Sequence, residues 1–221
     1  MSEALDRARA AVGRLKVFPL PPVVLLPGAA APLHIFEERY RAMVADALAS
    51  DRMFALAQVI PGQEERLPGA PALEPVVCVG LITAHTRLED GRSNLVLLGV
   101  ARARIVRELP SRGPYREVEA ELLPDAPVPL DDPDELALQA AVVELMARLP
   151  TEVAERVAQL TARAHGGALA DLLASTILDD VVRRYEVLCE TDVRERMRAV
   201  AQETMLLVGS MRARKPEGLM N

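Results

Sequence analysis

The chain has 221 residues, a formal net charge of −6 and a pI near 5.2, with 50% of its residues apolar and 26% charged. That length holds one large or two small domains with a buried core, and the balance is that of a folded globular protein rather than a disordered or collagenous one. Acidity argues against a duplex nucleic-acid partner, which requires clustered positive charge, and the absence of Trp with only three Phe and three Tyr leaves few platforms for base stacking.

Met1 to Arg14 places Leu5, Ala8 and Val12 at helical spacing among charged residues. It has neither an apolar h-region nor a cleavage site, so a helical extension over 1–14 and a cytoplasmic location are expected. The longest apolar runs, such as Val23 to Leu26 and Leu95 to Val100, are far shorter than the roughly 20 residues that cross a bilayer, and no membrane association is expected. From Lys16 to about Pro124 short apolar runs alternate with proline and glycine, which predicts strands over Val17–Leu20, Val23–Leu26, Phe54–Ile60, Val76–Thr86, Asn94–Arg107 and Arg116–Leu123. One helix interrupts them, from about Glu37 to Ala49, with Tyr40, Met43, Val44, Ala47 and Leu48 on one stripe. Pro27-Gly28 is expected to form a turn that brings Val23–Leu26 and the segment around Leu33 to Phe36 into the same sheet.

Asp90-Gly91 between two apolar runs is a hairpin signal and predicts an antiparallel meander. In the second run, alternation places Arg102 and Arg104 on one face, expected to be solvated, and Ala101, Ala103 and Ile105 on the other. The proline-rich stretch from Pro124 to Pro133 reads as a linker. Beyond it the composition turns to Ala, Leu, Val, Glu and Arg, with Asp132 as N-cap and Pro133 as first residue of a helix to Leu149. Further helices are predicted after the cap at Thr151, over Ala168–Ile177, Asp180–Glu190 and Asp192 to about Arg214. The expected organisation is therefore an extension at 1–14, a β-rich part at 15–124, a linker at 125–133, a helical bundle at 134–214 and a flexible tail at 215–221. Strands followed by helices make this an α+β fold.

Catalytic chemistry is not suggested. Lysine occurs only at Lys16 and Lys215, so no Gly-Lys pair forms a phosphate-binding loop and no interior lysine is available for a Ser–Lys dyad. His34, His85 and His165 show no metal-ligand or general-base spacing. Asp131-Asp132 and Asp179-Asp180 stand where helix starts favour negative charge. Cys78 and Cys189, with no CxxC, suggest neither a disulfide framework nor a zinc site, and buried thiols are expected. No cofactor or metal is expected.

The stretch Phe18-Pro-Leu-Pro-Pro-Val-Val-Leu-Leu-Pro-Gly-Ala-Ala-Ala-Pro-Leu-His-Ile-Phe-Glu-Glu-Arg-Tyr-Arg-Ala-Met43 resembles the opening of the Lon protease amino-terminal domain, particularly its stand-alone bacterial members and the related domain of cereblon. Val79-Gly80-Leu81-Ile82, the Asp90-Gly91-Arg92 turn and Leu97 to Ile105 are similar to the family's glycine- and arginine-bearing strand. Leu169 to Ala174 and Leu188 to Met197 are similar to its carboxy-terminal helices, so the resemblance runs over roughly residues 15 to 208. Where the family often has Gln and Glu in its Q-x-L-L-E helix, this chain has Tyr185 and Cys189. The resemblance implies a β-rich, PUA-like fold followed by helices, and a non-catalytic module that recognises polypeptide segments or partner proteins, as an adaptor or chaperone-like factor, with self-association into a homodimer as a further expectation. Contacts are expected in the cleft between the β-rich half and the helices, with Leu33, His34, Ile35, Phe36 and Tyr40 as the lining. Two alternatives from other classes are an RNA binder using Arg102, Arg104 and Arg107 as a phosphate track, and an enzyme acting on a small molecule.

Overall fold

A computed structural model describes residues 2–21, 23–63 and 69–213; the tail expected at 215–221 lies outside the described residues. The chain is α+β and divides into two compact units, one formed by residues to Pro124 together with Asp180–Cys189, the other by Asp125–Asp179 together with the chain from Glu190.

The first unit opens with α1 (Ser2–Ala11) and a single 3-10 turn at Val12–Arg14. The strands are β1 (Leu15–Pro19), β2 (Ala30–Ile35), β3 (Met53–Ala57), β4 (Val76–Arg87), β5 (Ser93–Leu109) and β6 (Arg116–Leu122), with α2 (Glu38–Leu48) between β2 and β3. Their order is β2-β5-β4-β3-β1-β6, and β6 also pairs with β5, so five strands close on themselves and β2 is left as an added edge strand. Closure follows from the length of β5: its first half pairs with β2 over Ser93–Leu98 and its second half with β6 over Ala103–Leu109.

Period-two alternation fills the inside of the closed strands. Leu15 and Val17, Met53, Ala55 and Ala57, Val77 and Val79, Ala103, and Val118 and Ala120 form one buried cluster, to which α1 adds Ala8 and Ala11. Alanine at so many inward positions suits a barrel too narrow for large side chains on every strand. Every residue of β1 and β3 is buried rather than every second one. The reason is α2, whose Tyr40 lies 4.3 Å from the Phe18 ring on β1, with Phe54 of β3 at 6.3 Å from Phe18, so the other face of these strands is covered too. The stripe Tyr40, Met43, Val44 and Ala47 is buried as its spacing predicts.

Three expectations are corrected. Val23–Leu26 is not a strand, although Val24, Leu25 and Leu26 are buried. The Gln58 side-chain amide donates to Leu20 O at 3.3 Å and Val23 O at 2.6 Å, so carbonyls of this segment are satisfied by a side chain rather than by a ladder. Only the segment beyond the turn enters the sheet, as β2. The third ladder strand ends at Ala57, and Val59 makes just an isolated bridge to Leu73. Last, the helix expected in the bundle at 180–190 belongs to the first unit: α6 (Val181–Cys189) packs on β4.

The Pro27-Gly28 turn itself is present. Gly28 has φ +82°, Ala29 N donates to Leu26 O at 3.1 Å, and Gly28 N donates to Gly99 O at 2.9 Å. Gly99 has no room for a Cβ, which would strike the Leu26 carbonyl. Gly28→Val forces a β-branched residue into the left-handed region, at a cost of about 1–3 kcal/mol. The expected outcome is a lower midpoint in urea denaturation; an unchanged midpoint would remove this turn from the determinants of the fold.

The second unit contains α3 (Pro133–Met146), α4 (Thr151–Thr161), α5 (Gly166–Ile177) and α7 (Val193–Ala213). Asp132 caps α3 by accepting from Asp134 N at 3.0 Å with Pro133 in the first turn, as read from the sequence. Leu138, Ala141, Val142 and Leu145 of α3, Leu169, Ala170, Leu173 and Ala174 of α5, and Val193, Met197, Val200 and Val208 of α7 are buried.

Candidate functional site

Beyond the barrel, β4 and the first half of β5 run on as a hairpin, and β2 joins them as a third strand. The Asp90-Gly91 turn closes this hairpin: Gly91 has φ +80°, and Asp90 Oδ1 accepts from Arg92 N at 3.0 Å. That bond is the first cause holding the Asp90 carboxyl below its ordinary range, followed in the same direction by the Arg92 side chain. The ladders align His34 with Asn94 and Thr86 with Asn94, and Pro32 with Val96 and Ala84 with Val96. Two rows therefore cross the three strands side by side, one polar (His34, Asn94, Thr86) and one apolar (Pro32, Val96, Ala84). Together with His85 they line an open groove of about 360 Å³ whose lining holds no Asp, Glu, Lys or Arg. Within it His34 Nδ1 and Asn94 Oδ1 are 2.7 Å apart. The Phe36 ring stacks near the His34 ring, with centroids 6.2 Å apart and planes at 25°, and is 61% exposed.

The five residues expected to form one lining separate into two groups. Leu33, Ile35 and Tyr40 are buried, at 8%, 1% and 4% exposure, and belong to the core, with Leu33 also at the floor of the groove. Burial is also the first cause that raises the Tyr40 hydroxyl above its ordinary value, and the Arg39 guanidinium sits 4.6 Å from its ring centroid. His34 and Phe36 face outward. The split is the strand period: β2 alternates exposed and buried from Ala30 to Ile35. Thr86, Asn94, Val96 and Ala84 were missed. Their signal was available in part, since they occupy alternate positions on both sides of a recognisable hairpin turn, but only the register shows that they meet Pro32 and His34.

Among the described residues β2 is an edge strand, paired with β5 on one side. Gly99 N donates to Ala29 O at 2.8 Å, which marks Ala29 and Gly99 as a hydrogen-bonded pair. By alternation Ala31, Leu33 and Ile35 turn their backbone groups to β5, and Ala30, Pro32 and His34 turn theirs to the free edge. Pro32 has no N–H, so this edge offers an interrupted ladder, a common protection against strand addition.

The arginines expected on one solvated face are separated as well. Arg102 is buried at 2% exposure, donating from Nε to Leu188 O at 3.0 Å and from Nη2 to Val187 O at 3.2 Å. Arg104 lies 3.5 Å from Glu121, and Arg107 pairs with Glu119. A phosphate track through all three is not assembled. Of the two cysteines, Cys78 is buried and Cys189 only half-buried. Tyr185 accepts from Val76 N at 3.2 Å and shares a hydrogen bond with Cys189. Burial is the first cause raising the Cys189 thiol. Among the described residues no group of three or more His, Cys, Asp or Glu side chains is arranged to hold a metal ion, and no helix is long and apolar enough to cross a membrane.

The family described as the ATP-dependent protease La (LON) substrate-binding domain matches residues 14–204. The chain belongs to this family. The Lon protease of Anaeromyxobacter dehalogenans (strain 2CP-C) is 29% identical over 195 residues, covering 85% of this chain and 22% of that protein. Lon protease 2 of Myxococcus xanthus is 29% identical over 194 residues, covering 85% of this chain and 23% of the relative. The chain thus spans less than a quarter of the length of these Lon proteases. Two solved structures share the fold: the N-terminal domain of a Mycobacterium avium complex Lon protease (TM-score 0.68, 22% identity, 87% of this chain and 98% of that one) and the Lon N-terminal domain protein from Xanthomonas campestris (TM-score 0.62, 24% identity, 86% and 97%). The Lon-type region present here is a substrate-binding module and not the catalytic peptidase domain.

Proposed function

We propose that this chain binds polypeptide segments, as an adaptor or chaperone-like factor, through the outward face of the β2, β5 and β4 extension. The observation that carries the reading is a substrate-binding family whose member here presents an open, uncharged groove beside a Phe36 ring that is 61% exposed. The relatives are named as proteases, and a protease acts on polypeptide chains. An apolar row next to a polar one suits a chain with uncharged side chains, and large exposed apolar groups beside a groove commonly mark binding surfaces. The interrupted β2 edge favours recognition on the face of the sheet over addition of a strand at its border.

Affinity is expected in the micromolar range, since ordering a flexible segment costs roughly 2–5 kcal/mol or more of the gross interaction. The test is a fluorescence titration of labelled, reduced and carboxymethylated lactalbumin, which stays unfolded. Phe36→Ala is expected to weaken binding about tenfold or more, as removal of an aromatic anchor does, without lowering Tm. Tyr40→Ala is unsuited to this purpose, because its ring belongs to the core. No saturable binding by the wild-type chain up to high micromolar concentration would overturn the proposal; equal binding by a folded Phe36→Ala variant would move the surface elsewhere.

A further inference from the structure

We propose that His34 and Asn94 form a clamp for the main-chain N–H and C=O of one extended residue of the bound polypeptide, with a neighbouring uncharged side chain of that polypeptide resting on Pro32, Val96 and Ala84. The inference rests on the polypeptide reading and deepens it by naming what the groove recognises.

Hydrogen-bond valence leads to it. Asn94 Oδ1 lies 2.7 Å from His34 Nδ1, and a carbonyl oxygen only accepts, so Nδ1 carries the proton in this pair. With Nδ1 engaged, Nε2 is the ring nitrogen left for a ligand N–H, while the Asn94 amide nitrogen retains two N–H donors. One acceptor and one donor group are thereby fixed on directly paired positions of neighbouring strands, where side chains stand about 5 Å apart. An extended residue directs its own N–H and C=O to the same side, as a ladder partner does. Its N–H meets His34 Nε2 and its C=O meets the Asn94 amide. The Pro32, Val96 and Ala84 row is two positions further along each strand, about 7 Å away, within reach of a side chain next to the clamped residue. Charge selects in the same direction: the groove lining holds no Asp, Glu, Lys or Arg to compensate a desolvated charge, so an uncharged segment is favoured. Stacking of Phe36 near His34 limits the imidazole orientations and keeps Nε2 presented.

Two measurements on the full chain test the clamp. In the first, N-acetyl-leucine N-methylamide, which contains one such N–H and C=O pair, is titrated against 15N-labelled protein, alongside the analogue in which the leucine N–H is replaced by an ester oxygen. The Asn94 side-chain amide signals are expected to shift saturably with the amide, and the analogue to bind about three- to tenfold more weakly, the value of one net hydrogen bond. In the second, labelled unfolded lactalbumin is titrated against Asn94→Ala and Asn94→Asp, which lack the donors and, being exposed, should keep the wild-type Tm; both are expected to lose about three- to tenfold in affinity. An unmoved Asn94 side-chain signal, or equal shifts with amide and ester, overturns the clamp. So do Asn94 variants that bind like wild type while Phe36→Ala binds weakly, a result that leaves the polypeptide reading standing. A wild-type chain that does not bind unfolded lactalbumin at all overturns both.

Discussion

Arg196→Ala is expected to destabilise the helical unit by about 3–5 kcal/mol, the usual consequence of removing one partner from a buried ion pair. Arg196 is fully buried on α7, ion-paired with Asp125 and 3.3 Å from Asp171, and it donates to Glu190 O at 2.7 Å. Asp171 is itself only 1% exposed on α5. Alanine leaves that buried carboxylate without the Arg196 cation, and it leaves a cavity where the guanidinium lay. The packing is tight enough that a Cβ on Gly167 would strike both the Arg196 guanidinium and the Asp125 carboxylate. Urea denaturation followed by far-ultraviolet circular dichroism measures the loss. Arg196→Lys keeps a charge but not the planar fork and should fall between wild type and alanine. A loss below about 1 kcal/mol for alanine, the range of an exposed pair, would show that the network is not what holds α5 to α7.

What was readable in the sequence is what depends on neighbours in the chain. The Asp132 cap, the Asp90-Gly91 turn and the α2 stripe are decided within a few residues, and each is found where its pattern places it. Val23–Leu26 misled because apolar composition reports burial, not hydrogen bonding. Those residues are buried, but Gln58, a side chain 35 positions from Val23, takes the carbonyl that a neighbouring strand was expected to take. Of the outward-facing residues of the candidate site, only His34 and Phe36 were legible, for a related reason. A contiguous run, Leu33 to Phe36, was read as one surface, although a strand sends successive side chains to opposite faces. Its remaining members come from β4 and β5 through ladder register, which no local pattern contains. Arg196 stood within a segment similar to the family, but its partners Asp125 and Asp171 lie 71 and 25 positions away, so spacing gave no sign of the buried network.

Arg102 carries the same lesson to a second expected result: Arg102→Ala should destabilise the chain by roughly 2–5 kcal/mol and loosen α6 first. The alternation along β5 was read correctly, with Ala103 inside the barrel and Arg102 on the opposite face. What the pattern could not show is that this opposite face is covered by a helix 85 residues later, so that Arg102 is buried rather than solvated. Its guanidinium donates to the carbonyl oxygens of Val187 and Leu188 at the end of α6. These belong to the last turn of a helix, where carbonyls have no partner within the helix and a cation is favoured. Removing the side chain strands two buried acceptors, each costing about 1–3 kcal/mol. A further attachment, Val76 N to the Tyr185 hydroxyl at 3.2 Å, is a single hydrogen bond and does not replace them. Hydrogen exchange is the decisive measurement. Amides of Val181–Cys189 should exchange faster in Arg102→Ala than in wild type, while those of β3 at the barrel centre keep their protection relative to the lowered global stability. Arg102→Lys retains the charge and one reach of donor, and should restore part of the protection. Wild-type exchange over α6 together with an unchanged Tm in Arg102→Ala would mean that α6 is held by its apolar side chains alone, with Val187 and Leu188 sufficient to dock it.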